Sequence, residues 1–266
     1  MAPTQRTWLV TGASSGFGTE ISLAALQKGD KVVGTARNVK KAEQNNPEFA
    51  KLGGVWLELD VTSSKCEEVV AKAVKEHNVD HGNHPRPIRN ERFGAFAVLK
   101  GAIPHFRTHR RGTIVNISST AAIAPHCYFS SYAATKFALE GASEFLAEEL
   151  SAFNIRVLIV APGAFRTSFF GALSYTPISE VYKGTVVEET VKAFETIDGT
   201  QPGDPVKAGK AIVDVVRGEG LGKGLEGNLR VQLGTDAVVK TREKAKRLRE
   251  DWGRAEEVGN SCAYDS

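Results

Sequence analysis

The sequence predicts an α/β fold built on a parallel sheet, and three observations carry that prediction. Short runs such as Thr7–Val10, Lys31–Thr35, Val55–Leu59 and Ile155–Val160 alternate with stretches of helical periodicity. The first run leads at once into a glycine-rich turn, TGASSGFG at residues 11–18, and then into a helical pattern through Ile21, Leu23, Ala24, Ala25 and Leu26. The run Thr113, Ile114, Val115, Ile117 is β-branched and uncharged, as a strand buried on both faces requires, and it ends in Ser118 and Ser119. In open α/β sheets ligands bind at the carboxyl ends of the strands, so the two serines stand where chemistry is expected.

The bulk properties set the class. At 266 residues and 41% hydrophobic, the chain suits one large domain with a substantial core. A formal charge of +3 points neither to nucleic acid nor to any other strongly charged partner. Cys66, Cys127 and Cys262 are odd in number, far apart and without a C-x-x-C, which suits a reducing compartment and argues against a disulfide framework or zinc site. The first residues lack the apolar centre of a signal peptide, and no run approaches eighteen apolar residues. A soluble, cytoplasmic protein without a membrane span is expected.

Along the chain, the turn after the first strand reads Gly12-x-x-x-Gly16-x-Gly18, with Ser14, Ser15 and Phe17 between the glycines. Between a strand and a helix N-terminus, such a turn points backbone N–H groups at an anion, and the helix dipole favours negative charge there. The arrangement reads as the phosphate cradle of a dinucleotide; a plain turn is the alternative. The second strand ends at Ala36-Arg37, nineteen residues after Gly18, where an acid would bind the ribose of NAD and a base the 2′-phosphate of NADP. Arg37 therefore predicts NADP, against the alternative of one more exposed arginine. Residues 38–52 read as a polar connection. The third strand closes on Asp60-Val61-Thr62, whose carboxylate could accept from an adenine amino group or cap the next helix, expected over Ser64–Glu76.

Beyond Ser119 the spacing becomes chemical. Tyr132 follows after thirteen residues and Lys136 four later, so on a helix the phenol and the ammonium share one face. A phenol with a pKa of about 10 is a poor acid or base at neutral pH, and lowering it by three units takes about 4 kcal/mol of differential stabilisation. A neighbouring ammonium supplies stabilisation of that kind, while a serine hydroxyl can hold the oxygen that exchanges the proton. A chance Tyr-x-x-x-Lys is the alternative, and context has to decide.

TGASSGFG, Asp60-Val61, NISS, Tyr132-x-x-x-Lys136 and Pro162-Gly163 together, in this order, resemble the short-chain dehydrogenase/reductase family, over residues 7 to about 240. That resemblance implies a single doubly wound Rossmann domain, a nicotinamide cofactor and hydride transfer to or from a carbonyl carbon. Position by position it implies that Tyr132 is the acid/base, that Ser119 orients the substrate oxygen, and that Lys136 holds the nicotinamide ribose and lowers the tyrosine pKa. Arg37 and the glycines would hold the adenosine phosphates. The Pro162-Gly163 turn would lie against the nicotinamide, with Thr167 bonding its carboxamide.

One stretch departs from the family. Residues 77–92 read HNVDHGNHPRPIRNER where the family has a fourth strand, an Asn-Asn-Ala-Gly turn and a further asparagine. Asn90 is near the asparagine position but Glu91 fits the register better, so that role is not transferred. Pro85 and Pro87 argue against a central strand here. The sheet is thus expected to lack or replace one central strand, by strand one closing on strand five, by a loose insertion, or because a splice boundary has removed residues. His77, His81 and His84 have metal-like spacing but no supporting ligand, so no metal is expected.

Residues 164–205, with Phe165, Phe169, Phe170, Leu173, Tyr175 and Tyr182, correspond to the substrate lid of similar proteins and suggest a bulky apolar ketone or alcohol. The steroid- and retinol-dehydrogenase-like branch is the nearest in pattern. The helix after Lys136, through Phe137, Leu139, Phe145, Leu146 and Leu150, reads as core and, by family analogy, as a place where subunits pair. Residues 241–266 form a mixed-charge helix and tail, read as a solvated face rather than a nucleic-acid contact. A dinucleotide-binding relative without turnover, or a mis-spliced copy of an active reductase, is the alternative to an enzyme.

Overall fold

The computed structural model describes residues 5–84, 91–125, 127–172 and 177–264. Seven parallel strands form the sheet, in the order β3-β2-β1-β4-β5-β6-β7. They are β1 (Thr7–Val10), β2 (Lys31–Ala36), β3 (Val55–Glu58), β4 (His81–His84), β5 (Gly112–Ile117), β6 (Ile155–Pro162) and β7 (Arg230–Leu233). The helices among the described residues are α1 (Gly16–Gln27), α2 (Val39–Asn45), α3 (Pro47–Lys51), α4 (Cys66–Glu76), α5 (Glu91–His109), α6 (Ser130–Ser151), α7 (Val186–Thr196), α8 (Pro205–Arg217) and α9 (Thr235–Asn260).

Alternation along the strands explains the double winding. Trp8, Val10, Val32, Val115, Ile117, Leu158 and Val160 point to one face, where Ile21, Ala24 and Ala25 of α1 and Ile212, Val213 and Val216 of α8 cover them. Leu9, Val33, Ile114 and Val157 point to the other, beneath Val70 and Val74 of α4, Val98 and Leu99 of α5 and Leu150 of α6. β1, β2, β5 and β6 therefore carry apolar side chains on both faces, which is why their sequences read as largely hydrophobic runs. Each fully buried aliphatic side chain contributes about 1.5–3 kcal/mol to holding the layers together.

Two expectations need correction. The slot between β1 and β5 is filled: residues 81–83 pair in parallel with Trp8–Val10 on one side, and residues 81–84 with Thr113–Asn116 on the other. The prolines argue against a strand only at their own positions. The ladders use backbone groups of residues 81–84, all of which carry an N–H, whereas Pro85 and Pro87 lie outside the described residues. Strand one does not close on strand five. Residues 38–52 are also more than a polar connection. Asn38 caps α2 by accepting from the Lys41 amide at 2.9 Å, Pro47 opens α3, and Phe49 enters the core against Trp56 with ring centroids 4.3 Å apart.

Candidate active site

The turn between β1 and α1 is held from three sides. The Ala13 amide donates to Thr35 O at 3.0 Å, the Thr19 hydroxyl to Ala13 O at 2.8 Å, and the Asn46 side chain to Ser14 O at 3.2 Å. Gly12 and Gly16 have φ of 65° and 57°, a region that side chains other than glycine rarely adopt. At Gly18 the limit is space, because a Cβ would collide with the carbonyl of Gly12. The first turn of α1, opened by Ser15 and led by Gly16, Phe17 and Gly18, has no acidic residue. A compact, half-buried loop ahead of a helix N-terminus with no acidic residue fits the diphosphate of a dinucleotide.

Arg37 stands exposed beyond the end of β2, close enough to Asp60 beyond β3 for its charge to act on the carboxylate. Asp60 accepts from both the amide and the hydroxyl of Thr62, at 2.9 and 2.7 Å, and these bonds, with help from Arg37, hold it below the ordinary carboxylate range. It caps its own turn rather than α4, which begins at Cys66. Val61, next in the chain, packs against the cluster formed by α4 and α5, and a Cβ on Gly94 of α5 would touch it at 3.0 Å.

The β5 end and α6 bring the proposed catalytic groups to one place. Ser119 sits half-buried where β5 gives way to a short 3₁₀ turn, and its side chain accepts from the Ala121 amide at 3.1 Å. Lys136 is only 4% exposed, and its Nζ donates to Ile117 O, two residues before Ser119, at 3.1 Å. The same ammonium lies 5.7 Å from the centre of the half-buried Tyr132 ring. One face of α6 thus presents a buried cation beside a phenol, at the carboxyl edge of the sheet.

The opposite wall is the turn after β6. Pro162 ends the ladder, the Gly163 amide donates to Leu233 O at 2.9 Å, and the Ala164 amide to the Asp236 carboxylate at 2.9 Å. A Cβ on Gly163 would run into that carboxylate. Thr167 follows and lies beside the cradle, 3.7 Å from where a Cβ on Gly16 would sit, and Phe165 meets Phe17 edge-on at 5.1 Å. The structure therefore brings the two turns together across the sheet edge, with Arg37 and Asp60 farther along it.

Several residues that matter here carry no motif. Glu140, one turn below Lys136 on α6, is buried and bonded by Arg230 of β7 at 2.9 Å. Burial pushes its carboxyl up, while Ser118, which approaches without a well-formed hydrogen bond, and Arg230 act in the opposite direction. Asn116 donates to Ser143 at 2.8 Å, tying β5 to α6. Glu140 at a spacing of four from Lys136 was visible in the sequence; its partner ninety residues away was not.

Six rings lie in a row that includes Tyr132. Tyr128 and Phe129 precede Tyr132, Phe169 lies 5.7 Å from Tyr132, and Phe170 stacks on Phe194 of α7 at 5.6 Å and 15°. Phe129 closes the row on Phe194 at 4.6 Å. Tyr128 has φ of 71°, a strained setting for a bulky residue. Of the other lid residues singled out, Phe165 is core, Tyr182 is exposed on a 3₁₀ turn, and Leu173 and Tyr175 lie outside the described residues. Asn90 does too. Glu91 opens α5. Among the described residues no cluster of metal-ligating side chains occurs, and no helix is long and apolar enough to cross a membrane.

Residues 6–81 and 86–176 match the short chain dehydrogenase family, the interruption falling across β4. Oxidoreductase claN of Passalora fulva is 44% identical over 201 residues, which cover 68% of this chain and 92% of the relative. Retinol dehydrogenase 8 of Homo sapiens is 33% identical over 199 residues, 65% of this chain and 63% of its own. Among solved structures, a short-chain dehydrogenase from Streptomyces avermitilis superposes with a TM-score of 0.81 at 33% identity, covering 98% of this chain and 100% of that one.

Proposed function

The chain belongs to the short-chain dehydrogenase family and is an oxidoreductase of that family, and from this premise we propose that it uses NADP to interconvert a ketone and a secondary alcohol on a bulky apolar substrate. The observation that carries the reading is the buried Lys136, anchored to Ile117 O at 3.1 Å and 5.7 Å from the Tyr132 ring. Burying an ammonium is costly, and an ammonium beside a phenol lowers the cost of forming phenolate.

When bound, the nicotinamide supplies or receives the hydride. The protein's part is proton transfer and positioning. Tyr132 gives a proton to the substrate oxygen in reduction and takes it back in oxidation, while the Ser119 hydroxyl donates a hydrogen bond to the same oxygen. Lys136 supports the phenol electrostatically and contacts the nicotinamide ribose. Gly12, Ser14, Ser15, Gly16, Phe17 and Gly18 hold the diphosphate, Asp60 and Val61 border the adenine, and Pro162, Gly163 and Thr167 border the nicotinamide. NADP rather than NAD is supported by Arg37, which stands where an acid would otherwise bind a free ribose. The half-buried rings of Phe129, Phe169, Phe170 and Phe194 support a bulky apolar substrate. The alternative of a non-catalytic relative drew on the departure at residues 77–92; β4 supplies the strand part of that stretch, while residues 85–90, which would carry the turn and the asparagine, lie outside the described residues.

The test is Tyr132→Phe assayed with NADPH and a panel of apolar ketones. Turnover should fall by about 10²–10⁴-fold with NADPH still raising Tm; retained turnover would refute the assignment. Arg37→Ser should weaken NADPH but not NADH, by about tenfold or more for a lost charged hydrogen bond.

A further inference from the structure

The first turn of α9 carries a carboxylate that serves another part of the molecule. An acid at a helix N-terminus ordinarily meets the amides and dipole of its own helix. Asp236 instead turns Oδ2 to the Ala164 amide, 72 residues away in the chain, and accepts from it at 2.9 Å. Its Oδ1 is buried and has no hydrogen-bond partner among the described residues. Two glycines make room for the group. A Cβ on Gly234 would sit 2.7 Å from Oδ1, and one on Gly163 would run into both oxygens. Gly234 has φ of 99° and favours glycine for that reason as well, whereas Gly163 is outside the positive-φ region. Position 163 thus needs glycine for space, and Asp236 fills that space.

The turn that Asp236 holds is bonded from several elements. Thr120, beside Ser119, donates to Pro162 O at 3.4 Å, the Gly163 amide to Leu233 O at 2.9 Å, and the Gly203 amide to Ala164 O at 3.0 Å. The Arg166 amide donates back to Gly203 O at 3.0 Å. Ala164 is therefore held at both its amide and its carbonyl. Gly203 lies where the stretch expected to cover the substrate returns to the domain, so one residue anchors the turn and the root of that stretch. Of these bonds, the one from Ala164 to Asp236 has the charged acceptor and is the strongest in kind.

We propose that Asp236 is a positioning residue for the nicotinamide half of the cofactor. This rests on the reading that Pro162, Gly163 and Thr167 border the nicotinamide, and it names the group that fixes them there. Asp236 acts through the turn: it pins the Ala164 amide from behind, and the bare Cα of Gly163 lets the turn settle against the carboxylate. The adenosine half, bordered by Arg37 and Asp60 farther along the sheet edge, does not depend on it.

Titration calorimetry of the full chain with NADPH and with 2′-phospho-ADP-ribose, the same molecule without its nicotinamide, tests this; NADH and ADP-ribose are titrated alongside. Asp236→Ala should weaken the dinucleotide by about tenfold or more, the effect of losing one hydrogen bond to a charged group, and leave the fragment unchanged. Asp236→Asn keeps an oxygen facing the Ala164 amide and should restore most of the dinucleotide affinity. Gly163→Ala should weaken the dinucleotide more than the fragment, and should add little in the Asp236→Ala background, where the group it strikes is gone. Gly163→Ala alone carries the test if Asp236→Ala does not fold. Dinucleotide affinity untouched by Asp236→Ala, equal weakening of dinucleotide and fragment, an Asn variant no better than Ala, or additive losses in the double variant would each overturn the assignment, leaving Asp236 as a helix-starting acid. A wild type that binds none of the four ligands overturns the cofactor reading, and the assignment with it.

Discussion

The two edges of the sheet are both rich in polar side chains and use them in opposite ways. At the amino edge most of the groups satisfy one another. Asp30, fully buried, accepts from Arg217 at 2.6 Å, from the Trp8 indole at 2.9 Å and from the Arg6 amide at 3.0 Å. Arg6 and Arg156 then donate to the carbonyls of Val215, Val216 and Arg217 at the end of α8, and to Leu225. At the carboxyl edge, Asn116 Oδ1, Ser118 Oγ and Asp236 Oδ1 are buried without a hydrogen-bond partner among the described residues. A buried polar atom left unpaired costs about 1–3 kcal/mol. The amino edge is a nearly closed network that holds the sheet to α8, with Arg156 Nε left buried without a partner among the described residues, whereas the carboxyl edge, where open α/β sheets bind their ligands, carries several such atoms.

If that division is right, the two edges separate under mutation. The largest effect on stability should come from Arg217→Leu, which leaves Asp30 without its cation; losing one partner of a buried pair costs about 3–5 kcal/mol. Urea unfolding measures it, and turnover per folded molecule should be unchanged. A loss of turnover without a loss of stability would break the comparison. Next is Gly18→Ala at the other edge, where the added methyl collides with Gly12 O. Strain of this kind costs about 1–3 kcal/mol, and here NADPH binding, measured by titration calorimetry, should suffer more than the unfolding midpoint.

The smallest effect concerns Cys66, at the start of α4 behind Asp60. Burial, then Asp60 and Glu67, push its thiol up to about 11 from an ordinary 9. The folded protein therefore keeps a proton that the unfolded chain gives up. Stability is unaffected by this group below pH 9 and declines as pH rises from about 9 to 11. Cys66→Ala should flatten that decline. In the native protein a thiol reagent should label the exposed Cys127 and Cys262 quickly and Cys66 only on unfolding.

Local patterns made much of this site legible. The cradle needs glycine at the two positive-φ positions and no Cβ at Gly18, and a spacing of four puts Tyr132 and Lys136 on one helical face, so both are written in neighbouring residues. The capping Asn38 and the Asn46-Pro47 pair were readable as helix starts in the same way, although the polar character of residues 38–52 hid α2 and α3. Residues 81–84, His-Gly-Asn-His, were not readable as a strand. Nothing in them is β-branched or apolar, and their conformation comes from two ladders supplied by β1 and β5.

By itself, then, the sequence determined the alternation of strands and helices, the glycine turn proposed to hold a diphosphate and the spacing of Tyr132 and Lys136, because each depends on chain geometry over a few residues. Only the tertiary structure decided that β4 fills the sheet, that Arg230 reaches Glu140 and that Arg217 reaches Asp30. Those features join residues distant in the chain. They exist only once backbone ladders and burial have fixed which distant groups must share a site.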